Sequence, residues 1–108
     1  MTHLPMMLDA PTALARLQAG TALLVDVRER GEIARAAFDA PNVVEMPLSE
    51  FERRHRELPH DRQLIMACAT GARSFQAMQY LVHHGWHHVA NLQGGIGIWH
   101  AHGLPVKT

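Results

Sequence analysis

The chain contains a single cysteine, Cys68, among 108 residues. One thiol allows no internal disulfide and no resolving partner, which points to a reducing compartment, the cytoplasm, and excludes chemistry that needs a second thiol of the same chain. No apolar run approaches the ~18 residues that cross a bilayer, so no membrane partner is expected. Met1 to Leu17 lacks a basic region followed by an apolar core, so no signal peptide is expected. Net charge is zero at neutral pH, so composition points to no nucleic-acid partner. Carboxylates are absent after Asp61, where the charged side chains are Arg62, Arg73 and Lys107 beside six histidines. A net-positive half would favour a thiolate and anionic ligands; in so short a chain, chance gives the same segregation.

What is present is ordinary for a globular chain: 47% apolar and 19% charged residues. The length predicts one domain over residues 1–108, burying somewhat under ~70% of the surface of its unfolded chain. The stretch Leu64 to Ser74 organises the rest. Its apolar run gives way at Cys68 to small residues, and Phe75, Met78, Leu81 and Val82 then recur at helical spacing. The pattern predicts a buried strand, a tight loop and a helix, which would turn loop amides and a helix N-terminus towards one sulfur.

Elsewhere Met6-Met7-Leu8 is expected as a short strand, followed by a helix from about Pro11 that Gly20 ends. Ala22 to Val27 predicts a strand buried on both faces, with Asp26, Arg28 and Glu29 at its C-terminal end. Glu29 to Ala37 predicts a short helix and Val43 to Met46 a strand. Ser49 with Glu52 predicts a capping box for a helix to about Leu58. Gly85 fits a helix C-terminal cap, Val89 to Leu92 a last strand, and Gly94-Gly95 the start of a helix holding Ile98 and Trp99. Strands alternating with helices indicate a parallel α/β sheet. There is no internal repeat, linker or low-complexity segment.

These pieces resemble, in order and over nearly the whole chain, the single-domain rhodanese-like sulfurtransferases. Leu24 to Glu29 is similar to the family's strand ending in Asp-x-Arg, and Met46 to Ser49 to its Pro-Leu helix start. Cys68 to Ser74 is similar to its Cys-x-x-Gly-x-Arg-Ser loop. Leu92 to Ile96 with Trp99 is similar to its Gly-Gly-x-x-x-Trp ending, which Gly103 to Val106 continues. The resemblance implies a three-layer fold, a central parallel sheet of about five strands with helices on both faces, and a Cys68 that carries a transferable sulfur as a persulfide. Two departures stand out. Ala36 to Pro41 occupies the region of a common Gly-His-Ile segment, which bears on the local turn. Ala69 follows the cysteine where many active members have a basic or polar residue, which implies a weaker grip on thiosulfate or another donor.

The loop residues themselves suggest how the chemistry would run. Amides from Ala69, Thr70, Gly71, Ala72, Arg73 and Ser74, a helix terminus and the Arg73 charge would each stabilise a thiolate and draw the thiol below its ordinary value near ~8.5. Gly71 suits a turn with positive φ, and the small side chains at positions 69, 70 and 72 leave room for a small oxyanion. The expected reaction is ping-pong transfer from a thiosulfate-like donor through Cys68 to cyanide or a thiol. A sulfur-relay protein could serve as a partner. No general base, cofactor or metal is expected. Arg73 either contacts the anionic donor or pins the loop, with pinning favoured.

A lone thiol is ordinarily an inert buried residue; the strand–loop–helix setting and the spacing of Gly71 and Arg73 turn that reading. Asp26 with Arg28 reads as a structural pair and Trp99 as core. The pairs His83-His84 and His87-His88 have the i,i+4 spacing of a zinc motif, but Gly85 between them should end the shared helix. Two rivals remain. A rhodanese-like module without turnover would hold an unactivated thiol. A cysteine phosphatase would use Cys68 and Arg73, yet four residues separate them where such loops have five.

Overall fold

The computed structural model describes residues 6–108; residues 1–5, the beginning of the Met1–Leu17 stretch read for a signal peptide, lie outside the described part. Among the described residues no helix is long and apolar enough to cross a membrane. The elements run β1 (Met7–Leu8), α1 (Ala10–Ala19), β2 (Ala22–Asp26), α2 (Arg30–Arg35), β3 (Ala37–Phe38), β4 (Val43–Glu45), α3 (Leu48–Arg54), β5 (Gln63–Ala67), α4 (Ala72–His83), β6 (Val89–Leu92), α5 (Gly95–Ala101) and β7 (Val106–Lys107). Five strands form one sheet in the order β1-β6-β5-β2-β4, all parallel, with β5 at its centre.

Every residue of β2, β5 and β6 is buried, the expected consequence of near-continuous apolar strands covered on both faces. The pleat divides them between two cores. Leu23, Val25, Leu64, Met66 and Val89 face one side with Phe51, Met78, Leu81 and Trp86 from α3, α4 and the segment after α4. Leu24, Ile65, Ala67, Ala90 and Leu92 face the other with Leu17 from α1 and Trp99 from α5. The sheet of five parallel strands and the helices on both faces are as the sequence implies, and Trp99 is fully buried.

Several local expectations are corrected. The helix expected over Glu29 to Ala37 stops at Arg35; Ala36 is extended, and Ala37-Phe38 pairs antiparallel with Val106-Lys107 in a small second sheet. Phe38 is drawn inward, edge-on to Trp99 with ring centroids 5.1 Å apart. The Ser49–Glu52 capping box does not form. Leu48 begins α3, and the Ser49 amide and hydroxyl both donate to the Glu29 carboxylate, at 3.2 and 2.7 Å. A capping box forms between Glu29 and Glu32, at the start of α2. Beyond Arg54 the chain tightens to a 3-10 turn, His55–Glu57, before Leu58. α4 ends at His83, and Gly85 follows with φ 101°. His87 and His88 therefore share no helix face with His83 and His84. Among the described residues no group of three or more histidine, cysteine or carboxylate side chains is arranged to hold a metal.

Candidate active site

Cys68 directly follows the central strand, and α4 starts four residues later. In open parallel sheets this carboxyl edge is where ligands bind. The Gly71 amide donates to Cys68 Sγ at 3.1 Å and the Ser74 amide at 3.4 Å; the Ser74 hydroxyl oxygen lies 3.3 Å from the sulfur. Gly71 sits at φ 105°, a conformation that an L side chain adopts only with strain. This turn folds the chain back so that the first amides of α4 meet the sulfur, adding the positive end of the helix dipole.

The reason those peptides point inward lies on α5. Its amides from Ile96 and Gly97 donate to the Cys68 and Ala69 carbonyls at 2.9 and 3.2 Å. With the Ala69 carbonyl turned outward, the Thr70 amide of the same planar peptide turns towards the sulfur. Gly95 permits the approach. A Cβ there would lie 2.3 Å from the Cys68 carbonyl oxygen and 2.6 Å from the Ala69 carbonyl carbon and oxygen, all backbone atoms that cannot swing aside.

Burial is the largest single influence on the Cys68 thiol and pushes it up. The Ser74 hydroxyl and the amides of Ser74, Gly71 and Thr70 pull the other way and together outweigh it, so the thiol lies below its ordinary value. Ala69, Ala72 and Arg73 make no hydrogen bond to the sulfur. The ring of amides expected from the sequence is thus narrower, drawn from Thr70, Gly71 and Ser74.

Arg73 turns away to Glu32, its Nη1 and Nη2 donating to the two carboxylate oxygens at 2.8 and 2.7 Å. The Arg73 hydrogen bonds hold the Glu32 carboxyl at about 2, and Glu32 raises the guanidinium above its ordinary value. The positive charge of Arg73 is therefore paired in space with a carboxylate from the other half of the chain. Asp26 and Arg28 form a buried ion pair at 2.8 Å, and the Asp26 carboxylate also accepts the Arg28 amide at 3.0 Å.

Thr70 and Ala72 are exposed at the rim, but Cys68 retains only 1% of its accessible surface. The sulfur lies on the floor of the loop, not at its mouth.

Three contributors escaped the sequence reading. Glu32 stands 41 residues from Arg73 and carried no signal. Gly95 was read as part of a helix start, without the close contact. Asn91 carried a signal, being polar inside the apolar run Val89 to Leu92; it donates from Nδ2 to the Gly71 carbonyl at 3.0 Å and accepts from the Ser74 hydroxyl at 2.6 Å.

The profile of the Rhodanese-like domain matches residues 9–102. A protein named sulfurtransferase from Allochromatium vinosum is 43% identical over 84 residues, covering 78% of this chain and 77% of that one. The thiosulfate sulfurtransferase GlpE of Vibrio cholerae is 28% identical over 102 residues, covering 94% and 93%. Among solved structures, a rhodanese-related protein from Thermoplasma volcanium superposes with a TM-score of 0.84 at 26% identity, covering 94% of this chain and 97% of that one.

Proposed function

The chain belongs to the rhodanese-like sulfurtransferase family, and on that premise we propose that Cys68 carries sulfur from thiosulfate, or a related anionic persulfide donor, to cyanide or a thiol. The observation that carries this reading is the convergence of the Gly71 and Ser74 amides on Sγ, at 3.1 and 3.4 Å. Such donors stabilise a thiolate without a separate base.

The Cys68 thiolate attacks the outer sulfur of thiosulfate. A new Sγ–S bond forms, the donor's S–S bond breaks, and sulfite leaves with the electron pair. In the persulfide the negative charge sits on the outer sulfur, about 2 Å beyond Sγ. The exposed rim of Thr70 and Ala72 is the side from which a donor or thiophile would approach it. A thiophile then bonds to this sulfur, and Cys68 departs as the thiolate. Arg73, held by Glu32, pins the loop to α2 in this scheme. A protein partner in a sulfur relay would approach over the same rim.

Steady-state assay of thiocyanate formation from thiosulfate and cyanide tests the scheme. Parallel double-reciprocal lines are expected, with activity abolished in Cys68→Ser while the fold persists; full activity in that variant would overturn it. Its 1% exposure gives Cys68 a second reading, a binding module without turnover, which predicts a thiol that titrates at its free value and no thiocyanate. Sustained hydrolysis of an aryl phosphate would instead favour a phosphatase. Arg73 argues against that reading, because a carboxylate already occupies its guanidinium.

A further inference from the structure

Ser74 has one hydroxyl proton and three acceptors within reach: Cys68 Sγ at 3.3 Å, the Gly71 carbonyl at 3.2 Å and Asn91 Oδ1 at 2.6 Å. Which one receives it follows from the neighbours. The Gly71 carbonyl already accepts the Phe75 amide at 3.1 Å and Asn91 Nδ2 at 3.0 Å, which fill its two lone pairs. The Asn91 carboxamide cannot be reversed, because its oxygen would then face the Gly71 oxygen at that distance. Asn91 is 1% exposed and Ser74 fully buried, so water offers neither group an alternative. While Cys68 is a neutral thiol, Asn91 Oδ1 therefore takes the Ser74 proton, and the Ser74 oxygen presents lone pairs to the sulfur.

We propose that Asn91 is a positioning residue for sulfur transfer, acting through Ser74 by withholding the hydroxyl proton from Cys68. A neutral thiol suits this arrangement, since its own proton can be donated to Ser74 Oγ. A thiolate does not. It draws the Ser74 proton more strongly than a neutral acceptor does, but the swing leaves Asn91 Oδ1 without a donor in a dry site. The thiolate is thus held less tightly than the nearby donors would allow, and it stays more basic and more nucleophilic towards a donor sulfur. In the persulfide the charge has moved to the outer sulfur and Sγ is no longer an anion, so the Ser74 proton returns to Asn91. The residue favours the loaded sulfur over the bare thiolate.

The consequence for transfer rests on the sulfurtransferase reading of Cys68. The test does not, because iodoacetamide needs only a thiolate and reports whether or not sulfur moves. Alkylation rate against pH is measured for the parent chain, Asn91→Leu, Ser74→Ala and the double variant; leucine is chosen because it matches asparagine in size and keeps water out. In Asn91→Leu the Ser74 proton is freed for the sulfur, so the midpoint should fall, with a thiolate-to-thiol ratio about five-fold higher at a fixed pH. In the Ser74→Ala background the same substitution should leave the midpoint unmoved.

A midpoint that rises or stays put in Asn91→Leu would overturn the proposal. So would an equal shift in both backgrounds, which would make Asn91 a support for the Gly71 carbonyl alone. A readout without the leucine variant is the Asn91 side-chain amide resonance. It should titrate with Cys68 in the parent chain and not in Ser74→Ala; a resonance indifferent to the thiol contradicts the inference.

Discussion

At Cys68 the penalty for burying a charge opposes the gain from donated hydrogen bonds, and the balance depends on which peptide N–H groups reach the sulfur. Gly95 controls that geometry from a distance. In Gly95→Ala the new methyl would meet the Cys68 and Ala69 carbonyls at a residue with φ 59°. Overpacking of this kind costs about 1–3 kcal/mol, and left-handed strain adds about 1–2 kcal/mol. The expected outcome is a midpoint of thermal unfolding lower by several degrees, and a Cys68 alkylation profile shifted up as the amides turn aside. Unchanged alkylation in a folded Gly95→Ala chain would show that the α5 contacts do not set the loop. By contrast, a Cβ on Gly71 meets only ordinary contacts of 3.5 Å or more. Gly71→Ala should therefore lose stability through its φ of 105° alone, by about 1–2 kcal/mol in urea unfolding.

Among the elements, α2 reaches the loop through Glu32 and Arg73, whose paired oxygens and nitrogens lie 2.7 and 2.8 Å apart. The Glu32 carboxyl is held at about 2 from an ordinary 4.5, chiefly by the Arg73 hydrogen bonds. A carboxyl with a depressed folded-state value stabilises the fold above its unfolded value and loses that contribution as pH falls through the folded one. The pair should therefore act fully at neutral pH, weaken below about 4.5 and be spent near 2. Side chains a third exposed limit its worth to under about 1 kcal/mol. Urea unfolding of the parent and Glu32→Gln should differ by that much at neutral pH and converge in acid; a gap that persists at low pH would mean that the ion pair is not its source.

How much could be read beforehand also divides by element. The long apolar strands around Val25, Ile65 and Ala90 and the strand–loop–helix at Cys68 were legible, because hydrophobic runs and turn residues are local signals. The pairing of Phe38 with Val106 was not, since two-residue strands leave no periodicity. Ser49 and Glu52 have the spacing of a capping box, but Glu29 from another turn offered Ser49 a charged acceptor. Arg73 could be named but its partner could not, because nothing local ties position 73 to position 32.

Over the whole molecule, folding brings two of the three cations after Asp61, Arg73 and Lys107, against carboxylates from the first half, Glu32 and Asp39. Parallel strand order brings the carboxyl ends of β2 and β5 side by side, with Asp26 opposite Ala67, and α2 delivers its glutamate beside the loop. What then stabilises negative charge at Cys68 is the Ser74 hydroxyl with the amides of Ser74, Gly71 and Thr70, held in place by α4 on one side and α5 on the other. The same packing sinks the thiol to 1% exposure; under the proposed transfer a donor would reach down past the rim, and the outer sulfur of a persulfide would lie about 2 Å from Sγ. Capacity to take on that sulfur is the central claim, and intact mass after incubation with thiosulfate without reductant measures it directly. A gain of one sulfur atom is expected, removed by a thiol reductant and absent from Cys68→Ser. An unchanged mass in a chain whose Cys68 still alkylates as a low-pH thiolate would contradict it.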